Sequence, residues 1–191
     1  MILLFSGGRD SALLAIQHLS RIDILLHFMY DHPAQLQEAK AVKSIYRFIK
    51  KIKPSISLVV YRIPIQAQAM HIGFGERGFR VVPCRNAIMI SMAANYALSH
   101  GLRSLMFGAN LDDYEGYEDC RSDYLASMSS LMGIKIETPL IGMTKKQISK
   151  KIAQYPDIER LAWSCYEPEP TSGLPCLKCD SCIINDGGLC V

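Results

Sequence analysis

The sequence predicts an α/β fold, a doubly wound, mostly parallel five-stranded sheet covered by helices and closed by a C-terminal module of four metal-binding cysteines. Three observations predict it. Short apolar runs alternate with segments of helical period, the pattern of βαβ units. A Ser-Gly-Gly turn stands between the first apolar run and the first helical segment. Five of the seven cysteines fall at or beyond residue 165. The 191 residues suffice for one domain with a real core and are too few for two ordinary ones. Residues 1–163 read as the α/β body, and 164–191 as a cysteine-bearing tail packed on it.

The elements follow in order. Ile2 to Phe5 is a short apolar strand, Ser6 to Arg9 a turn, and from Asp10 apolar residues recur at helical spacing through Leu19. Ile22 to Tyr30 suits a buried parallel strand. Ala34 to Ile52 is an amphipathic helix, with Leu36, Ala39, Val42, Ile45, Ile49 and Ile52 on one face. Ile56 to Ile63 is β-branched and strand-like. Residues 64–84 read as irregular. Asn86 to Ser99 is an apolar helix, Ser104 to Gly108 a strand, and 109–120 a polar, aromatic loop. Arg121 to Met132 is a helix, Ile134 to Glu137 a strand, and Thr144 to Gln154 a helix with lysines on its polar face. The tail from Cys165 reads as loop.

Composition narrows the class. Hydrophobic residues make up 49% and charged residues 20%, which excludes a disordered chain. A net charge of +3 is too mild to announce a nucleic-acid binder. No apolar run is long enough to span a bilayer, and the apolar start lacks the basic residues of a signal peptide. A cytoplasmic location is therefore expected. An odd cysteine count without an export signal argues against a disulfide framework.

Two motifs carry chemistry. Ser6-Gly7-Gly8-Arg9-Asp10-Ser11 sits between a strand and a helix. There the glycines let backbone N–H groups point into one concavity, and the helix N-terminus adds partial positive charge. Ser6 and Ser11 can donate to phosphate oxygens, and Asp10 can hold Mg²⁺ or cap the helix. The Walker and dinucleotide patterns are absent. The hexapeptide resembles the SGGxDS signature of the N-type ATP pyrophosphatases, the PP-loop enzymes. That resemblance implies ATP as cosubstrate and pyrophosphate as leaving group. The second motif is Cys165, Cys176, Cys179 and Cys182, spaced C-x10-C-x2-C-x2-C. Two-residue gaps let neighbouring thiolates reach one ion, and the distant cysteine closes a tetrahedron, as at a structural Zn²⁺ site. An iron–sulfur cluster fits less well, because no cysteine follows at a three-residue gap. Cys190 stands aside.

The remaining loops narrow the resemblance. Val82-Pro83-Cys84-Arg85-Asn86, the run from Gly108 to Arg121, Thr138-Pro139-Leu140-Ile141 before Thr144-Lys145, Ser164-Cys165-Tyr166, and Pro175 to Cys182 follow the hexapeptide in order. Together they resemble the 7-cyano-7-deazaguanine synthases of the QueC family, from residue 1 to about residue 185. The resemblance implies conversion of 7-carboxy-7-deazaguanine and ammonia to the nitrile with ATP and Mg²⁺. It implies nucleotide contacts at Ser6, Gly7, Gly8, Asp10 and Ser11, and charge neutralisation by Arg85 and Lys145. It places the substrate against Asn86, Asn110, Asp113, Tyr117, Asp119 and Arg121, with Tyr114 as an alternative stacking ring and Asp119 as an alternative partner for Arg121. It further implies a homodimer that acts on a small molecule, without membrane or nucleic-acid contact. Three departures stand out. Cys84 replaces the family's glycine, Glu115 and Glu118 are added carboxylates, and the family's DYGQRH is reduced to Tyr30-Asp31-His32-Pro33. They leave open an enzyme that stops at the amide or conjugates the activated deazaguanine to another amine. A tRNA thiolase and a non-catalytic nucleotide-binding protein are the other readings. Cys120 has no sequence neighbour that would activate it as a nucleophile.

Overall fold

A computed structural model describes residues 1–66, 70–72, 79–114 and 116–184. Its centre is a five-stranded sheet in the order β3-β2-β1-β6-β7. These strands are β1 (Ile2–Leu4), β2 (Ile24–Asp31), β3 (Ser57–Gln66), β6 (Ser104–Met106) and β7 (Lys135–Glu137). Every neighbouring pair in it is parallel. β4 (Met70–Ile72) and β5 (Phe79–Val81) form a separate antiparallel ribbon. The chain winds outward from β1 to β3, then returns to the other side of β1 for β6 and β7. The order therefore reverses at β1, and open α/β sheets bind ligands at such a reversal.

Helices cover both faces. α1 (Arg9–Gln17), α2 (Gln35–Ile52), α5 (Lys145–Ile152) and α6 (Pro156–Glu159) pack over Leu3, Phe5 and Leu25. α3 (Arg85–Ser99) and α4 (Ser122–Met132) pack over Ile2, Leu4, Leu26 and Phe28. Alternate β1 and β2 residues thus feed opposite cores, as the two-residue strand period requires. β1, buried on both faces, is apolar throughout. α5 opens on a capping box: the Thr144 side chain accepts from the Gln147 N–H, and Gln147 Oε1 accepts from the Thr144 N–H at 2.8 Å.

The doubly wound parallel architecture is as the alternation of runs predicts. Three segments differ. Residues 64–84, read as irregular, hold the end of β3 and the β4–β5 ribbon. Pro64 lies within β3, which is tolerated because β3 is an edge strand and needs no second ladder partner. The 109–120 loop contains two 3₁₀ turns, Leu111–Asp113 and Glu118–Cys120. The tail read as loop contains α7 (Asp180–Ile184).

Cys84, directly before α3, has φ 57° and ψ 14°, the left-handed conformation. A side chain there costs roughly 1–2 kcal/mol, which glycine avoids. The family's glycine at this position is thus a backbone requirement that this chain meets under strain. Cys84→Gly is expected to stabilise the fold by about 0.5–1 kcal/mol after the extra entropy of the unfolded chain is deducted. Thermal denaturation should show a rise of roughly 1–4 °C, and no rise would mean the strain is relieved elsewhere.

Candidate active site

A cavity of about 390 Å³ opens at the carboxyl ends of β1, β2 and β6, where the strand order reverses. Its floor is the Ser6–Ser11 turn. Gly7 has φ +78°, and a Cβ there would meet the backbone N and Cγ2 of Val42 at 3.0 Å. Glycine is needed twice at this point, for the dihedral and for the close approach of α2. Ser11 Oγ donates to the Gly8 carbonyl at 3.0 Å, and Ser6 Oγ accepts from the Gly8 N–H at 3.3 Å. The two hydroxyls lie 3.2 Å apart and both border the cavity. Behind the turn, the Trp163 N–H donates to the Gly7 carbonyl at 3.0 Å. Trp163 Nε1 in turn donates to the Cys165 carbonyl at 2.7 Å.

Asp10 follows the turn and borders the cavity. Asn110 Nδ2 donates to its carboxylate at 2.8 Å. Asn110 Oδ1 accepts from the Asp112 and Asp113 N–H groups at 3.0 and 3.2 Å. Asn110 is wholly buried and does not line the cavity. It sits where a donor to substrate was expected and instead locks the loop after β6 onto the first turn of α1. Burial, and then the nearby Asp113 carboxylate, push the Asp10 carboxyl up to about 6.

Lys145 arrives at the start of α5. Its Nζ lies 3.2 Å from Asp113 Oδ1, and its N–H donates to Asp112 Oδ2 at 2.6 Å. The two neighbouring aspartates therefore hold the first residue of α5 at backbone and side chain. Burial works against the Lys145 charge, but Tyr166, Asp113 and Asp10 nearby keep its pKa above the usual lysine range. Arg85 Nη1 donates to the Tyr30 hydroxyl at 3.2 Å and Nε to Asn86 Oδ1 at 3.3 Å. Burial again opposes the charge, and Tyr30 and Asp119 outweigh it, so Arg85 remains a guanidinium.

The remaining residues divide. Asp113 and Tyr117 line the cavity. Asn86 lines it too, and is 4% exposed, with Nδ2 donating to Cys120 Sγ at 3.3 Å. Asp119 accepts from the Asn86 N–H at 3.2 Å, a carboxylate at the start of α3. Arg121 is turned away: Nε donates to the Tyr114 carbonyl at 3.1 Å and its guanidinium covers the Tyr114 ring. Asp119 and Arg121 do not line the cavity. Burial pushes the Cys120 thiol up to about 12, so it is protonated and no nucleophile. Glu118 is exposed, and Glu115 lies outside the described residues. Residues that sequence reasoning had not placed here are His27, Tyr30, Trp163 and Tyr166, all of which line the cavity. Tyr166 adjoins a motif cysteine, which was the available signal.

Cys165, Cys176, Cys179 and Cys182 converge, their sulfurs all within 4.8 Å of one another. Cys165 and Cys182 are buried, and Trp163 packs against the group. The Cys165 and Cys176 sulfurs are 3.6 Å apart, close to the ~3.8 Å edge of a tetrahedron with ~2.3 Å metal–sulfur bonds. The Cys176 N–H donates to Cys165 Sγ and the Cys179 N–H to Cys176 Sγ, each at 3.3 Å. Burial opposes thiolate formation at Cys176, yet the N–H groups of Lys178 and Cys179 bring its thiol down to about 7. This donor set fits a metal ion. Cys190 lies outside the described residues.

The sequence profile of the QueC family, described as queuosine biosynthesis protein QueC, matches residues 1–190. The chain belongs to the QueC family. A curated relative from Ralstonia nicotianae, 7-cyano-7-deazaguanine synthase, is 31% identical over 98% of this chain and 92% of its own length. A relative of the same name from Picrophilus torridus is 31% identical over 96% and 84%. Among solved structures, a 4-thiouridine synthetase in complex with RNA and bound ATP superposes with a TM-score of 0.58 at 18% identity, over 97% of this chain and 48% of that one. NMN synthetase from Francisella tularensis gives 0.52 at 17% identity, over 94% and 69%. These structural likenesses share the fold. As a member of the QueC family the chain is a synthase-type enzyme, and among its described residues no helix is long and apolar enough to cross a membrane.

The Asp10 shift fixes a pH dependence. Its carboxyl is raised from 3.8 to about 6, so the folded state prefers the proton, and that preference is lost as pH rises through about 6. Asp10→Asn, free of nucleotide and magnesium, should therefore be more stable than the parent above pH 6, by about 1–3 kcal/mol. The gain should shrink between pH 6 and 4 and vanish below. Denaturant midpoints at pH 8 and pH 4 check this, and an equal gain at both would reject it.

Proposed function

We propose that the chain converts 7-carboxy-7-deazaguanine and ammonia to 7-cyano-7-deazaguanine at the expense of ATP. One observation supports this most. In a QueC-family chain, the SGGxDS turn, Asp10, Lys145 and Arg85 all converge on one cavity at the reversal of strand order. In the proposed reaction a carboxylate oxygen attacks the α-phosphorus of ATP, and pyrophosphate leaves. Ammonia then attacks the acyl carbon, and AMP leaves with formation of the amide. The amide oxygen attacks the α-phosphorus of a second ATP and pyrophosphate leaves; loss of AMP and of the two amide protons then gives the nitrile.

The backbone of Gly7 and Gly8 and the hydroxyls of Ser6 and Ser11 would cradle the departing pyrophosphate. Lys145 and Arg85 would neutralise the charge that grows on it. Asp10 would hold Mg²⁺, which when bound supplies further positive charge at the phosphates. Asp113 holds Lys145, Tyr117 offers a ring for the deazaguanine face, and Asn86 positions Arg85. Asn110 and Asp119 act one step back, on Asp10 and on the start of α3. The four cysteines would hold structural Zn²⁺, which contributes folding energy outright. The replaced glycine at Cys84 concerns backbone conformation and gives no reason to expect a different product.

ATP–pyrophosphate exchange should depend on 7-carboxy-7-deazaguanine, and exchange indifferent to that acid would sink the proposal. Mass spectrometry of the product should show the nitrile, where an amide or a macromolecular conjugate would point to one of the divergent readings. Lys145→Ala should lower kcat of adenylation by about 10²-fold or more, read by the same exchange. Elemental analysis should find about one zinc per chain, and Cys179→Ala should lose it together with soluble yield. An iron–sulfur absorption band would overturn the zinc assignment.

A further inference from the structure

The roles above leave one wall of the cavity unused, the β2 side, which carries His27, His32 and Glu38. His27 is 3% exposed, and its Nδ1 lies 2.9 Å from the Phe5 carbonyl oxygen. A carbonyl oxygen only accepts, so Nδ1 carries the ring hydrogen and Nε2 is left with a bare lone pair. Burial lowers the His27 pKa below the usual imidazole range, which keeps the ring neutral. With Nδ1 engaged, Nε2 is the ring nitrogen left to the cavity. Glu38 is near enough to act on the His27 charge, and its carboxylate lies 3.4 Å from His32 Nε2. Two acceptors of fixed sense, one imidazole nitrogen and one carboxylate, therefore border the same part of the cavity. The group that satisfies both is an amino group with two N–H bonds. A carbonyl oxygen in that place would meet acceptors and be left desolvated without a donor.

We propose that His27, backed by Glu38, reads the 6-amino group of the nucleotide base and so selects adenine over 6-oxopurine nucleotides. The inference rests on the ATP-dependent reading above and names the residues that make the nucleotide ATP. Position assigns this wall to the nucleotide and not to the deazaguanine acid. His27 is bonded to Phe5, the residue before Ser6 of the phosphate turn, and stands on β2. Tyr117, assigned to the acid, stands in the loop after β6, on the other side of β1.

Calorimetric titration of the whole chain, without the acid, tests it with ATP, GTP, ITP and the triphosphate of unsubstituted purine riboside. ATP should bind at least about tenfold more tightly than GTP or ITP, with the unsubstituted purine between them. His27→Phe should bring the ATP-to-GTP ratio within about twofold by weakening ATP. Glu38→Gln, which can turn an N–H toward an oxo group, should move the same ratio by strengthening GTP. The wild-type comparison stands even if His27→Phe does not fold. Equal affinities for ATP and GTP in the wild type overturn the proposal, as does an unchanged ratio in both folded variants. A separate titration with 7-carboxy-7-deazaguanine alone also overturns it if His27→Phe weakens binding of that acid and spares ATP. Failure to bind any of the four triphosphates would instead remove the ATP-dependent reading itself, and this proposal with it.

Discussion

The turn at Gly7 is confined from two sides, and the arrangement of the cavity depends on that confinement. On one side the backbone of α2 comes so close that a Cβ would stand 3.0 Å from Val42. On the other the Trp163 N–H holds the Gly7 carbonyl at 3.0 Å. β1 contributes only three residues, all buried between the two cores, so it enters the turn with its direction already fixed. A turn pinned at both ends of a short, rigid strand cannot drift relative to α1. Ser6, Gly8 and Ser11 are thereby held at fixed positions on the cavity's edge.

From that fixed point the charged groups are placed by neutral ones. Asn110 spends both ends of its amide on protein, one on Asp10 and one on the loop after β6. Asn86 does the same between Arg85 and Cys120. Two buried amides thus join α1, α3 and the loop carrying Asp113 without adding charge. The charges themselves are balanced locally, with Lys145 against Asp113 and Asp10, and Arg85 against Asp119. Taking such groups out of water is costly, and pairs of this kind are poor contributors to stability. The raised Asp10 carboxyl carries that cost visibly, since it gains where a cation or a proton arrives. The arrangement makes sense as preparation for a polyanion and its counter-ion rather than as cement for the fold.

What could be read from the sequence follows from how local each signal is. The phosphate turn, the helix of α2 and the four cysteines are short-range patterns, and each lies where its residues put it. The β4–β5 ribbon was missed because two three-residue strands carry almost no periodicity and are defined by pairing with each other. The strand read over Ile56 to Ile63 continues through Pro64 to Gln66, because β3's edge position, which tolerates proline, is a property of the sheet and not of the local sequence. At the site, the family resemblance implies Asn110 and Arg121 as ligands for the substrate. Geometry gives Asn110 to Asp10 and Arg121 to Tyr114, because side-chain partners 100 residues apart in one case and seven in the other are set by tertiary packing. His27 carries no motif in the sequence. Its significance comes from a carbonyl 22 residues earlier that fixes its tautomer, and only the sheet brings the two together.

The tail is bound into this logic more tightly than its composition suggests. Trp163, Ser164, Tyr166 and Ser181 line the cavity, and Trp163 joins the Gly7 carbonyl to the Cys165 carbonyl through its two N–H groups. The segment between Cys165 and Cys179 carries no regular element and includes Leu177 at φ 58° and Gly173 at φ 68°. Two local backbone bonds between Glu169, Gly173 and Leu174 and one from Gln37 Nε2 to the Gly173 carbonyl hold this stretch, beside the convergence of the four sulfurs and their packing on Trp163. An ion held by the four cysteines would then do more than staple a terminus: it would fix the wall behind the Ser6–Ser11 turn and so contribute to the cavity's shape through Trp163.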